Sequence, residues 1–362
     1  MSTRTIEFST PISIEEARKA IPLLGTVLTP IIKGEPGCGK STLLKMLEQD
    51  MGDGYDYAYV DCTTKDIGDT AMSVPDNDRT KLLQVVSDLF KLDSPKPKVI
   101  MLDEFMKTPK LLQAMWTRLM LERYIGDKSL PEGSIVFATS NNSSDGVGDT
   151  MLAHAGNRVC IYNLRKPNAT EWLAWAGENG ISAETRACIA MFPNMLASYL
   201  DGGQEENPYI FNPQRKGVLS FVTPRSLTLN DRAVVRNRDK LGANLTQASI
   251  AGTIGAAAGE KMAAFLSLAK ELVSIKDVIS NPDNVRMPEK PAALFMMMFN
   301  AVDTIQTQDE LAAFMKFVNR IQSSEVQSVF FTMAMQNKRM AKIAVMNQQI
   351  REWARTNYEL MV

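Results

Sequence analysis

Histidine is almost missing from this sequence, with one residue, His154, in 362. Cysteine is scarce too: Cys38, Cys62, Cys160 and Cys188 are scattered and form no C-x-x-C pair. These shortages leave little for a zinc site and point to a reduced, cytosolic setting rather than a disulfide framework. No apolar run reaches membrane-spanning length. Met1-Ser2-Thr3-Arg4 opens no apolar signal core, so neither an anchor nor a targeting segment is expected. Charge of one sign is lacking as well: 40 Lys and Arg against 41 Asp and Glu leave a net −1. That excludes a global basic field for nucleic acid, although not a local patch. Internal repeats and low-complexity linkers are absent. What remains is an ordinary globular composition, 45% hydrophobic and 22% charged, in a chain long enough for two or three domains. Methionine is plentiful at 22, densest at Met296-Met297-Met298. That cluster reads as a malleable helical core, with an adaptable partner surface as the alternative.

The most informative stretch is Gly34-Glu35-Pro36-Gly37-Cys38-Gly39-Lys40-Ser41, followed by Thr42. It fits G-x-x-x-x-G-K-[ST], the phosphate-binding P-loop. Glycines let the backbone fold tightly, so that successive N–H groups point at the β- and γ-phosphates of a nucleotide. Lys40 adds a fixed positive charge, and Ser41 supplies a hydroxyl for Mg²⁺. The context agrees: Thr26 to Ile32 reads as a strand, and Ser41 to Gln49 as a helix with Leu43, Leu44 and Leu47 on one face. A helix N-terminus behind the loop suits an anion.

Around that loop the pattern alternates. Ile14 to Leu24 reads as a helix, Tyr55 to Val60 as a strand, and Cys62 to Asp78 as turn-rich chain. Lys81 to Leu92 has helical apolar spacing, as has Pro109 to Tyr124. Lys98 to Leu102 and Ser134 to Thr139 are continuous apolar runs, the mark of strands buried on both faces, and Val159 to Tyr162 is one more strand. Strands alternating with helices imply a parallel sheet covered on both sides, an α/β fold. Beyond Lys166-Pro167 the chain is almost all helix: Ala169 to Gly177, Ala183 to Leu200, Ser226 to Arg236, Gln247 to Leu272, Pro291 to Val302, Gln308 to Arg320 and Glu325 onward. Asn281-Pro282-Asp283-Asn284 and Pro288 break this half in two. The basic tail (Lys338, Arg339, Lys342, Arg351, Arg355) reads as a solvated helix face.

Val99-Ile100-Met101-Leu102-Asp103-Glu104 is an apolar strand ending in two acids. Asp103 can reach a Mg²⁺ shell, and Glu104 can polarise a water for in-line attack on the γ-phosphate. Strand-end acids also serve as helix caps, but behind a complete P-loop this pair points to ATP hydrolysis. The next strand ends at Asn141, which is either a turn former or a hydrogen-bonding group for the γ-phosphate or the attacking water.

A P-loop, an Asp-Glu strand, a strand ending in asparagine and a helical second half together resemble the AAA+ ATPases. By residue type alone Arg158 and Arg225 are surface salt-bridge partners. The resemblance gives Arg158, in Asn157-Arg158 after the helix-like stretch Thr150 to Ala155, the place of an arginine finger that reaches a neighbouring subunit's γ-phosphate. It gives Arg225, in Phe221-Val222-Thr223-Pro224-Arg225-Ser226, the place of the second sensor. Arginine suits both tasks because its planar fork stays charged and pairs with phosphate oxygens. Within AAA+ the Thr-Pro-Arg-Ser form and Glu171-Trp172-Leu173-Ala174-Trp175-Ala176 look most like the MoxR group, common in phages and bacteria. In that frame Glu122 to Pro131 is the hairpin before the first sensor strand, and Cys62 to Asp78 the insertion in the second helix. The resemblance runs from about Ile14 to Leu272. The acid strand departs from it, continuing Phe105-Met106-Lys107 where typical members have Asn-Arg.

The resemblance implies a P-loop NTPase sheet sandwiched by helices over 1–165, a helical lid with the second sensor over 166–275, and a helical extension over 276–362. It implies ATP and Mg²⁺ as ligands, with Glu104, Asn141, Arg158 and Arg225 catalytic, residues 34–42 binding the nucleotide, and Ser41 and Asp103 on the metal. It further implies a homo-oligomer, a hexameric ring in the cytoplasm (the host's if phage-encoded). The ring would remodel a protein client, such as one carrying a von Willebrand factor A domain, in a chaperone-like role. A DNA-acting motor or loader in replication, recombination or packaging is the alternative, against which the neutral charge speaks. Threading of polypeptide ranks lower, because Asp66-Ile67-Gly68-Asp69 has no aromatic.

Overall fold

The computed structural model of the protein describes residues 10–66, 68–142, 158–215, 217–270 and 272–357. Its contacts divide the chain into two compact units, Met1–Lys166 and Pro167–Val362. The division falls where the sequence changes from alternating strands and helices to helices alone.

Along the first unit run α1 (Ile14–Leu24), β1 (Thr29–Gly34), α2 (Leu43–Met51), β2 (Asp56–Asp61), β3 (Ala71–Pro75), β4 (Leu82–Val86), β5 (Lys98–Asp103), α3 (Lys110–Glu122), β6 (Tyr124–Ile125), β7 (Lys128–Ser129), β8 (Ile135–Ser140) and β9 (Val159–Leu164). Five strands form one parallel sheet in the order β2-β5-β8-β1-β9. Every residue of β1, β5 and β8 is buried. Because side chains alternate across a strand, each continuous apolar run divides its residues between two cores. Ile31, Ile100, Leu102, Val136 and Ala138 pack on the side of α3 with Trp116, Leu119 and Met120. Ile32, Val99, Met101, Ile135 and Phe137 pack on the other side, with Ala17 and Ile21 of α1 and Leu43 and Leu47 of α2. Burying each large aliphatic side chain contributes about 1.5–3 kcal/mol. α1 is started by a capping box, in which the Ser13 side chain accepts from Glu16 N–H and Glu16 bonds back to Ser13 N–H.

The expected helix over Lys81 to Leu92 is instead strand β4 and a single 3-10 turn, Asp88–Phe90. β4 pairs antiparallel with β3, which lies inside the turn-rich segment. Asp76 closes the connection: its N–H donates to Lys81 O at 2.9 Å, and its Oδ1 accepts from Thr80 N–H at 2.8 Å. The apolar spacing misled because Leu82, Leu83 and Val85 are exposed on a local hairpin rather than aligned on a buried helix face. The short hairpin β6–β7 falls within Glu122 to Pro131, where a hairpin is expected.

The second unit contains α4 (Ala169–Glu178), α5 (Ala183–Met191), α6 (Pro224–Ala233), α7 (Arg238–Ile254), α8 (Ala256–Ala269), α9 (Ile275–Ser280), α10 (Pro291–Thr304), α11 (Gln308–Asn319), α12 (Ser324–Gln336), α13 (Lys338–Ala344) and α14 (Gln348–Thr356). One hydrophobic core joins Trp172 through Ile350, so helices on either side of residue 275 share it. At its centre α10 buries Met296, Met297, Met298 and Phe299, which makes the methionine cluster core and not surface. The expected helix Ala183 to Leu200 stops at Met191, ahead of Pro193. The expected helix Gln247 to Leu272 breaks at Gly255, whose φ of 87° lies in the left-handed region. A Cβ there would come 2.7 Å from Ser220 O, so only glycine fits. No described helix is long and apolar enough to cross a membrane.

Candidate functional site

The site is built where β1, β8 and β5 end. β1 terminates at Gly34, and the loop Glu35 to Gly39 leads into a 3-10 turn, Lys40–Thr42, continuous with α2. Gly37 and Gly39 have φ of 74° and 111°, backbone that side chains resist, and this turns successive N–H groups inward. A Cβ at Gly34 would stand 2.9 Å from Leu164 O, so glycine lets the loop press against β9. Glu35 and Cys38 are buried, Pro36 is half-buried and Thr42 is exposed. Thr42 Oγ1 donates to Gly39 O at 2.6 Å, closing the turn. Burial pushes the Cys38 thiol pKa up against the pull of Lys40, so the thiol stays protonated.

Strand order settles which side chains meet. β8 lies between β1 and β5, so the residue that follows it, Asn141, stands between the P-loop and the two acids. Lys40 Nζ donates to Asn141 Oδ1 at 2.8 Å, and also to Gly34 O and Glu35 O at 2.8 Å each. Asn141 Nδ2 donates to Glu104 Oε1 at 3.2 Å. Asn141 therefore couples the loop lysine to the second acid. Glu104 has φ 55° and ψ 31°, a left-handed conformation unusual for a non-glycine residue. Its Oε2 lies 2.9 Å from Lys107 Nζ in an ion pair, without the angle of a directed hydrogen bond.

Asp103 is 6% exposed and held on three sides. Oδ1 accepts from Thr139 Oγ1, while Oδ2 accepts from Ser41 Oγ at 3.2 Å and from Tyr59 Oη at 2.8 Å. Burial, and after it the bond to Asp103, pushes the Tyr59 pKa up, so the phenol remains a donor at every physiological pH. Ser41 and Asp103 form an oxygen-only donor set of one hydroxyl and one carboxylate. That suits Mg²⁺, which keeps several waters and takes its other ligands from phosphates. Among the described residues no cluster of three or more His, Cys, Asp or Glu side chains offers a closed protein cage.

Of the two arginines, Arg158 is away from the P-loop in the first unit, and Arg225 belongs to the second unit. Arg158 is exposed, immediately ahead of β9. Val159 pairs with Thr29 at the start of β1, whereas Leu164 pairs with Gly34 at the P-loop end. Five strand steps separate those ends, about 16 Å, so Arg158 sits at the edge of the sheet opposite its own P-loop. Asn157, His154 and the stretch Thr150 to Ala155 lie outside the described residues. Arg225 is exposed in the first turn of α6, which Thr223 and Ser226 start with a capping box, and it belongs to the second unit.

Tyr59, Thr139 and Lys107 escaped the reading of the sequence as site residues. The first two need the sheet order, because β2 is beside β5 in register Asp61↔Asp103 and β8 is on its other side. Lys107 carried a signal, three residues after Glu104 on one turn.

Residues 30–152 match the family model described as "ATPase family associated with various cellular activities (AAA)". That interval carries the P-loop, Asp103, Glu104 and Asn141. No curated protein matches. Among solved structures, NtrX from Brucella abortus in complex with ADP is 12% identical, at a TM-score of 0.38 over 98% of this chain and 69% of that one. Its complex with ATP is also 12% identical, at a TM-score of 0.39 over 96% of this chain and 67% of that one. Likeness at that level says nothing about what this chain binds.

Proposed function

We propose that this chain is an ATPase of the AAA+ type that hydrolyses ATP within a head-to-tail ring of its own copies. The observation that supports it best is the connected set Lys40–Asn141–Glu104 beside Ser41–Asp103, at the carboxyl ends of adjacent parallel strands. In this reading the backbone of residues 34–39 and Lys40 bind the β- and γ-phosphates. Ser41 and Asp103 would hold Mg²⁺, which would supply charge neutralisation of the phosphates. Glu104 orients and polarises the attacking water, and Asn141 positions that water or the γ-phosphate.

Arg158 carries the case for the ring. It lies too far from its own P-loop to touch the same phosphate, and an exposed arginine at that edge can serve a neighbour's site. A contact of this kind is heterologous, the type that closes into a ring when its rotation closes and runs on as a filament when it does not, and the sequence resemblance favours the ring. Six subunits, the MoxR group, a second-sensor role for Arg225, and remodelling of a protein client such as a von Willebrand factor A domain protein complete the proposal. They rest on the sequence resemblance.

The test is ATP hydrolysis measured together with mass in solution, with and without ATP. Hydrolysis by an ATP-dependent ring supports the proposal, and a monomer that hydrolyses nothing overturns it. Mixing Arg158→Ala with Glu104→Gln subunits tests the shared site, because one kind of mixed interface keeps both Glu104 and Arg158 and should recover part of the activity. Affinity for DNA that falls steeply with salt would favour a DNA-acting motor over a protein client.

A further inference from the structure

An ionised carboxylate offers about four acceptor sites, two on each oxygen. On Asp103 the Oδ2 pair is already taken, by Ser41 Oγ and Tyr59 Oη. Thr139 takes one site on Oδ1 from within the sheet, where it is fully buried. The three donors differ in what ties them down. Thr139 is locked in the central strand β8. Ser41 belongs to the loop and can turn its oxygen toward a cation while still donating to Asp103. Tyr59 is 46% exposed, so its ring is open to solvent on one side and its hydroxyl can leave Oδ2 without opening a cavity.

We propose that Tyr59 is a displaceable cap on Asp103: its hydroxyl occupies an acceptor site on Oδ2, the oxygen that also bonds Ser41 and so faces the side where Ser41 would hold a nucleotide-bound divalent cation, and it would yield that site to the cation's shell. The inference rests on the reading of Ser41 and Asp103 as the cation's residues. Tyr59 is a positioning residue in this scheme, acting through Asp103 rather than on the nucleotide or the attacking water. A cation whose shell bonds Asp103 through Oδ2 exchanges the phenol's hydrogen bond for one from its own shell, so the cap raises the cation concentration the site requires.

The test is a magnesium titration of fluorescent ADP binding to the full chain, which reads binding and needs no turnover. Tyr59→Phe keeps the ring and deletes only the hydroxyl. It should lower the magnesium concentration at half-saturation about three- to tenfold, the range of one exchanged hydrogen bond. Thr139→Val removes a different bond to the same carboxylate and should raise that concentration, because Asp103 loses orientation while Oδ2 stays capped. A role for Tyr59 in merely bracing Asp103 would move both variants the same way, toward weaker binding. A Tyr59→Phe titration unchanged or shifted to more magnesium, with wild type binding ADP normally, overturns the cap alone. Failure of wild type to bind nucleotide overturns the ATP-site reading and the cap with it.

Discussion

The two units use the same ionic residues for opposite ends. In the first, Asp103, Glu104 and Lys40 gather at the ends of strands beside a glycine-rich turn, where Asp103 accepts from Tyr59 and from buried Thr139, Glu104 accepts from Asn141, and Lys40 donates to Asn141. In the second, ions are matched to one another and to backbone. Arg186, 1% exposed, pairs with Asp303 and lies over the Phe299 ring at 5.1 Å. Buried Asp231 accepts from Ser182 and Thr185, and Arg236 lies 3.2 Å away. The guanidinium of Arg339 closes the end of α10 by donating to Val302, Ile305 and Asp303 carbonyls. Buried charge alone therefore does not mark a site. What marks it is charge gathered at the carboxyl ends of adjacent parallel strands beside a glycine-rich loop, rather than charge spent on helix carbonyls and core aromatics.

Four substitutions test that contrast, from the largest expected effect to the smallest. Glu104→Gln should bind ATP but hydrolyse it about 100- to 10,000-fold more slowly, the range for loss of a general base. Steady-state phosphate release checks it, and unchanged turnover would take Glu104 out of the reaction. Lys40→Ala should weaken ATP binding about 100-fold or more, as expected for lost charge-assisted bonds, with the melting temperature little altered. Equilibrium titration and a thermal melt separate the two effects. Arg186→Met should do the reverse, destabilising the second unit by about 2–3 kcal/mol and leaving ATP affinity of folded protein unchanged. That figure falls below the ~3–5 kcal/mol of a fully buried broken pair because the Asp303 side chain is 45% exposed. Urea denaturation decides the point, and an affinity change at unaltered stability would break the contrast.

The smallest effect concerns structural charge inside the first unit. Lys98, with its side chain 1% exposed, is paired with Asp56 at 2.6 Å. The bond from Lys98, then one from Ser94, holds the Asp56 carboxyl below its ordinary pKa. A depressed carboxyl stabilises the fold above its unfolded value, near 4, and that contribution disappears as pH falls through the lower folded value. Asp56→Asn should cost about 1–2 kcal/mol at pH 7 and flatten the acid limb of stability against pH. Melts between neutral and acid pH check both.

Much of the first unit could be read from the chain because its signals are local. The glycines of the loop and the continuous apolar runs of β5 and β8 each depend on neighbours in sequence. The sequence leaves Asn141 as a turn former or a hydrogen-bonding group, and the strand order places it between loop and acids. Contacts between distant strands were not legible: Tyr59 meets Asp103 only because β2 lies beside β5. Lys81 to Leu92 misled because alternation in a short hairpin and spacing on a helix overlap within a five-residue window. In the second unit the helices were visible but their tertiary use was not. Nothing near Arg339 in the sequence says that it closes a helix 35 residues earlier rather than facing solvent.

The φ of 55° at Glu104 has an evolutionary consequence. Left-handed backbone costs a side-chain-bearing residue about 1 kcal/mol or more that glycine avoids. Selection for thermal robustness alone would therefore drift position 104 toward glycine, and so would any laboratory screen that scores only expression or melting. A heat-selected library of this protein should accumulate Glu104→Gly among its survivors. With Glu104 in its proposed role those survivors would be hardier and silent, and a carboxylate retained at this position would then measure selection for work done rather than for staying folded.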